Sequence, residues 1–176
     1  MSGHNKWSQI KHQKGKSDAK KSQVFAKFAK LISAEAKKSN GNRESPGLKT
    51  AIERARGVNM PSDSIERAVK KATGEGVDAM ESLVYEAYGP GGCAMMIEVL
   101  TDNRNRAAQE IKHILSEQKA NLASMGAASW AFQKGPNGLV AQTTIPLSDE
   151  DIVALEKLVD ILEAHEDVQA VYTNAE

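Results

Sequence analysis

Read for its apolar positions, the chain changes character twice. Residues 1–17 hold Lys, His, Gln and Ser with a single large aromatic, Trp7, and no periodicity. A helical pattern then begins. Val24, Phe25, Phe28, Leu31 and Ile32 recur at helical spacing behind Ser17 or Asp18 as N-cap, and Asn40-Gly41-Asn42 ends the run. A second helix is expected from Pro46 to about Gly57, with Leu48, Ala51, Ile52 and Ala55 as its apolar stripe. A third follows the turn Asn59–Asp63, where Asp63 with Glu66 fits a capping box; Ile65, Ala68 and Val69 face inward and Gly74 closes it.

The texture changes after Gly74-Glu75-Gly76. Leu83–Tyr88 and Cys93–Thr101 read as strands around the turn Gly89-Pro90-Gly91-Gly92. Asp102 is expected to cap a helix with the stripe Ala107, Ile111, Ile114, Leu115. Ala127–Gln133 reads as a short aromatic strand and Leu139–Pro146 as another. Ser148 with Asp151 forms a capping box for a last long helix, with Ile152, Leu155, Leu158, Val159 and Leu162 inward, and Val168–Tyr172 closes as a strand. The expected fold class is α+β. A three-helix basic domain, 1–75 with its Lys-rich arm, precedes an acidic α+β sandwich domain, 76–176, with a mainly antiparallel sheet and helices on one face.

Charge sharpens the division. The chain is formally neutral, with 23 Lys+Arg against 23 Asp+Glu, yet residues 1–75 hold 17 basic and 7 acidic side chains and residues 76–176 the remaining 6 and 16. A net of +10 in one half and −10 in the other points the N-terminal half at a polyanion; mutual neutralisation of the halves is the alternative. One cysteine, Cys93, excludes an internal disulfide, and its alternation with apolar neighbours suggests buried packing. No apolar run is long enough to cross a bilayer and no signal-peptide h-region opens the chain, so a cytoplasmic protein without membrane partners is expected.

The strongest candidates for chemistry are Lys6, Lys11, Lys14, Lys16, Lys20 and Lys21, since each lysine that neutralises a phosphate releases a condensed counterion. Lysine outnumbers arginine here. Lysine acts as a point charge where arginine reads guanine bidentately, so backbone tracking is expected over base readout. Trp7 stacks on an unpaired base or pins the arm to the helical domain; His4 and His12 lack the neighbours that zinc requires, so they are expected as contacts or caps, His12 among the nucleic-acid contacts. Arg54, Lys70 and Lys71, with Arg56 and Arg67, lie on polar helix sides and extend the basic face or merely solvate it. Asp102-Asn103-Arg104-Asn105-Arg106 opens a helix, where Arg104 and Arg106 suit a phosphate but Asp102 opposes one; cap and surface structure is the first reading, nucleic-acid contact the second. Gly89–Gly92 lacks the Lys-Ser/Thr of a phosphate loop and leads into a strand. No nucleophile–base pair, metal cluster or cofactor loop is evident, so neither an enzyme nor a cofactor is expected.

Six blocks in order carry a resemblance. They are residues 2–15, Ala51–Ala55, Asn59-Met60-Pro61 with Ile65–Ala68, Tyr88–Gly92, Leu100–Arg106 and Asp167–Asn174. Together they resemble the YebC/PmpR family. That resemblance implies a non-enzymatic protein with a polyanionic partner: a DNA-binding transcriptional regulator, or a ribosome- or rRNA-associated translation factor, as for the mitochondrial relative that activates translation of a cytochrome oxidase subunit. It also implies a third domain inserted between the strand near Trp130 and the last helix. Here residues 132–144 pass straight through that point, with a short turn near 133–140 in its place. A protein–protein interaction module with an anchoring basic arm is the alternative of another class, and a monomer is expected.

Overall fold

A computed structural model describes residues 18–74, 79–136 and 138–176. It divides into two units between Glu81 and Ser82.

The helical unit contains α1 (Asp18–Lys38), α2 (Pro46–Gly57) and α3 (Ser62–Ala72). Each helix turns one apolar stripe inward. Ile32 and Ala36 of α1 meet Leu48, Ala51, Ile52 and Ala55 of α2 and Ile65, Ala68, Val69 and Ala72 of α3, and Met60 fills the α2–α3 corner. The i, i+3, i+4 spacing of these residues is what aligns them on one side of each cylinder. Ser33 Oγ donates to the Ala68 carbonyl at 3.0 Å, tying α1 to α3. The N-terminal half of the α1 stripe is less covered than its spacing suggested: Phe25, Phe28 and Leu31 are half-buried and Val24 is 38% exposed. At 21 residues α1 is almost twice as long as its partners, which bury mainly its C-terminal half.

Both loops of this unit use the same C-terminal device. Gly41 N–H bonds to Ala36 O at 2.8 Å around Asn40, whose φ is 49°, and Met60 N–H bonds to Ala55 O at 3.0 Å around Asn59, whose φ is 61°. These are Schellman closures, with asparagine accepting the left-handed conformation. The stop after α2 is therefore Asn59 rather than Gly57. The expected capping box of α3 is not formed: the helix starts at Ser62, Pro61 precedes it, and Glu66 is ion-paired to Arg43 instead.

The second unit is a four-stranded sheet of order β3-β1-β2-β6, from β1 (Glu81–Tyr88), β2 (Ala94–Thr101), β3 (Asn121–Ala123) and β6 (Val168–Thr173). Strands β1 and β3 pair antiparallel, as do β2 and β6, the latter with a register shift at Glu98/Val99. Helices α4 (Arg104–Glu117) and α5 (Asp149–Ala164) cover one face. Met95, Ile97 and Val99 of β2 pack there against Ala107, Ile111 and Leu115 of α4 and Leu155, Leu158 and Leu162 of α5. The opposite face carries a two-stranded hairpin, β4 (Phe132–Gly135) with β5 (Gly138–Ala141), which buries Phe132 against Ala94 and Met96. Strand β2 is thus covered on both sides, the reason for its nearly unbroken apolar run. At the hairpin turn Gly138 has φ +119°, and a Cβ there would run into the Tyr172 hydroxyl.

Three expectations in this unit need correction. Asp102 does not cap α4; Asn103 does, its Oδ1 accepting from Arg106 N at 3.1 Å. The expected aromatic strand 127–133 is a one-turn helix, Ser129–Ala131, that leaves Trp130 56% exposed before β4 begins at Phe132. Strand β3 was missed, because three residues are too few for a period-2 signal. The Ser148 cap was read correctly: Asp151 N–H donates to Ser148 Oγ at 3.1 Å.

Candidate nucleic-acid interface

The helical unit buries small apolar side chains and carries its cations outside. All three helices end on basic residues: Lys37 and Lys38 in α1, Arg54 and Arg56 in α2, Lys70 and Lys71 in α3. Such charges suit the negative end of the helix dipole, which gives them a structural reason independent of any ligand. They also surround one carboxylate. Glu66 of α3 is held below the usual carboxylate range first by its bond to Arg43, with Lys70 and Arg56 contributing through space. The α1–α2 loop, the end of α2 and the middle of α3 therefore bring Arg43, Arg56 and Lys70 around one anion. Arg43 was not singled out in the sequence; it sits in a loop, where no periodicity marks a face.

Of the other expected contacts, Lys20 and Lys21 occupy the first turn of α1, with Lys21 Nζ 3.9 Å from the exposed Asp18 carboxylate. Arg54 lies over the Phe28 ring, 5.9 Å from its centroid, where a guanidinium presents a flat upper face. Lys70 and Lys71 are exposed. Lys6, Trp7, Lys11, His12, Lys14 and Lys16 lie outside the described residues.

Arg104 and Arg106 belong to the α+β unit and are not alike. Arg104 is exposed at the start of α4. Arg106 is drawn into its own unit: its guanidinium lies 2.9 Å from Asp167, 3.0 Å from Asp102 and 3.8 Å from Glu110. Asp167 is fully buried and also accepts from Thr101 Oγ1 at 2.9 Å, so Arg106 is its counter-ion, in keeping with the structural reading placed first for this segment. Glu110, His165 and Asp167 place one ligand atom each within 4.8 Å of one another. His165 Nδ1 accepts the Asp167 backbone N–H at 3.1 Å, which puts the ring proton on Nε2, facing Glu110 at 2.9 Å. With one ring nitrogen accepting, the other protonated and Arg106 on the aspartate, the group is an ion-pair knot and offers a metal no histidine lone pair.

No nucleophile emerges from the described residues of the α+β unit. Cys93 is fully buried, and burial pushes its thiol up to about 11. The buried Glu86 is occupied structurally, accepting from the backbone N–H of Gly126, Ala128 and Ser129 at 2.7, 2.6 and 2.9 Å. Sequence reasoning passed over Glu86, because its partners are main-chain amides some forty residues away and carry no side-chain signature.

The chain matches the TACO1/YebC protein N-terminal domain over residues 5–75 and the TACO1/YebC second and third domain over 80–136 and 136–175. It belongs to the TACO1/YebC family. A relative from Petrotoga mobilis is 50% identical over 155 residues, which cover 86% of this chain and 60% of that protein. One from Trichlorobacter lovleyi is 46% identical over 178 residues, 98% of this chain and 70% of the relative. One from Treponema pallidum is 37% identical over 238 residues, covering 100% of this chain and 97% of the relative. All three are named probable transcriptional regulatory proteins. The crystal structure of a conserved hypothetical protein from Aquifex aeolicus superposes with a TM-score of 0.81 at 30% identity, covering 97% of this chain and 96% of that one. The chain therefore spans about 60% of the Petrotoga relative's length, and its match to the second and third domains breaks at Pro136, in the β4–β5 turn.

Proposed function

We propose that this protein is a non-enzymatic, cytoplasmic, nucleic-acid-binding regulator of gene expression, acting through its Lys-rich arm and the basic outer face of its helical unit. The observation that carries this is the segregation of charge: 17 basic against 7 acidic residues in the first 75, with Arg54, Arg56, Lys70 and Lys71 exposed at helix ends around a small apolar core. Binding DNA as a transcriptional regulator comes first, in line with the names its relatives carry. Binding ribosomal RNA as a translation factor comes second, and the excess of lysine over arginine in the arm favours it, since lysines follow a phosphate backbone without reading bases. In both readings the β4–β5 turn replaces the third domain of longer relatives, and residues 1–75 form the binding domain.

The test is fluorescence anisotropy of the whole chain against a labelled 20-base-pair DNA duplex and a ribosomal RNA hairpin of equal charge, over a salt series. Binding is expected to weaken log-linearly with salt. Replacing Lys6, Lys11, Lys14 and Lys16 by alanine should flatten the slope by about 3 to 4, given about 0.9 per phosphate contact on duplex DNA. An unchanged slope would remove the arm from the interface. Affinity for the hairpin well above that for the duplex would select the translation reading.

A further inference from the structure

We infer that the outer face of α5 is a docking surface for the chain's own first 17 residues, and that a polyanion competes for that arm. Helix α5 has a second apolar line besides the one it buries. Val153, Ile161 and Ala164 share an open, shallow face of the helix with Glu156, Lys157 and Asp160. Val153 is 65% exposed, and with Ile161 and Ala164 it makes an apolar strip that no described element covers. The charged groups on this face are two acids, Glu156 and Asp160, and one base, Lys157, so it is acidic on balance.

The occupant is chosen by complementarity. Residues 1–17 contain Lys6, Lys11, Lys14 and Lys16, no acid, and the indole of Trp7 between Lys6 and Lys11. An indole flanked by lysines matches an apolar strip flanked by Glu156 and Asp160. Seventeen residues reach up to about 56 Å when extended. Nucleic acid fits this face poorly, because phosphates would meet the carboxylates of Glu156 and Asp160. Docking the arm there gives the free protein a neutralised resting state and makes polyanion binding an exchange of one anionic surface for another. The exchange rests on the nucleic-acid reading above; the docking itself does not.

The chain has two tryptophans, Trp7 and Trp130, so Trp130→Phe leaves Trp7 as sole reporter. In that background, acrylamide quenching of Trp7 at low salt is expected to be severalfold weaker than at 0.5 M salt. Adding Glu156→Lys with Asp160→Lys should raise low-salt quenching to the high-salt level, and trypsin should then cut at Lys6–Lys16 faster. Glu44→Lys with Glu117→Lys, an equal charge change on exposed sites outside α5, should alter neither. Trp7 freely quenched at low salt, or the same response from the control pair, overturns the docking. Heparin, a polyanion without bases, should release Trp7. Heparin bound without release would overturn the competition, and protection of Trp7 with no polyanion binding at all would retain the docking while sinking the nucleic-acid reading.

Discussion

Glu86 shows how much a single side chain can organise. Burial opposes its charge and is the largest influence on it, but the amides of Gly126, Ala128 and Ser129 together outweigh that and hold the carboxyl below the usual carboxylate range. A depressed folded-state value contributes stability that is present above the unfolded value, near 4.3, and is lost as pH falls through the folded one. Acid titration of the urea midpoint should therefore show a drop below about pH 4 that Glu86→Gln lacks, and the variant should lose about 1–3 kcal/mol at neutral pH because its amide cannot satisfy three donors. Equal acid sensitivity in both proteins would dismiss the role. Cys93 is the complementary case. With its thiol buried and raised to about 11, it should resist Ellman's reagent at pH 8 until the protein unfolds. Burial of Cys93 was legible from its apolar alternation; the role of Glu86 was not.

At the scale of elements, legibility followed periodicity. The stripes Leu48–Ala55 and Ile152–Leu162 were read residue for residue, because helical spacing repeats enough times to average out exceptions. Caps depend on one residue each and were half right. At α4, Asp102 and Asn103 are both good N-caps by type, and only backbone geometry chooses: Asn103 has φ −140° and ψ 96° and accepts from Arg106 N, while Asp102 turns to the Arg106 guanidinium. Asn103→Ala should cost about 1 kcal/mol in chemical denaturation. Asp102→Ala, losing a partly exposed ion pair, should cost about half that or less, and a reversed ranking would contradict the assignment. The end of the same helix carries a misfit. Lys119 has φ 57° where Ala120 N–H closes onto Leu115 O at 2.8 Å, the position that Asn40 and Asn59 fill in the helical unit. Lys119→Gly relieves that conformation and should stabilise by about 0.5–1 kcal/mol, net of glycine's entropy in the unfolded chain.

On the scale of the whole molecule, the two units differ in what holds them. Among the described residues, the helical core has eleven buried members, of which Ala36, Ala51, Ala55, Ala68 and Ala72 are alanines. The core under α4 and α5 has sixteen, with alanine only at Ala87, Ala107, Ala120 and Ala175. An alanine removes far less apolar surface from water than the roughly 1.5–3 kcal/mol worth of a buried Leu or Ile, and small domains bury a smaller fraction of their surface to begin with. The helical unit should therefore be the first to melt, in a calorimetric scan that departs from two-state behaviour. That unit also carries the cations of the proposed interface, whose mutual repulsion lowers its stability further. A ligand that binds only the folded form stabilises it by RT ln(1 + [L]/Kd), about 2.7 kcal/mol at a hundredfold excess over Kd. Duplex DNA or the RNA hairpin at low salt should accordingly raise the first transition by several degrees and leave the second in place, with the shift fading as salt rises. A shift confined to the second transition would move the polyanion site to the acidic unit and overturn the assignment of binding to the helices.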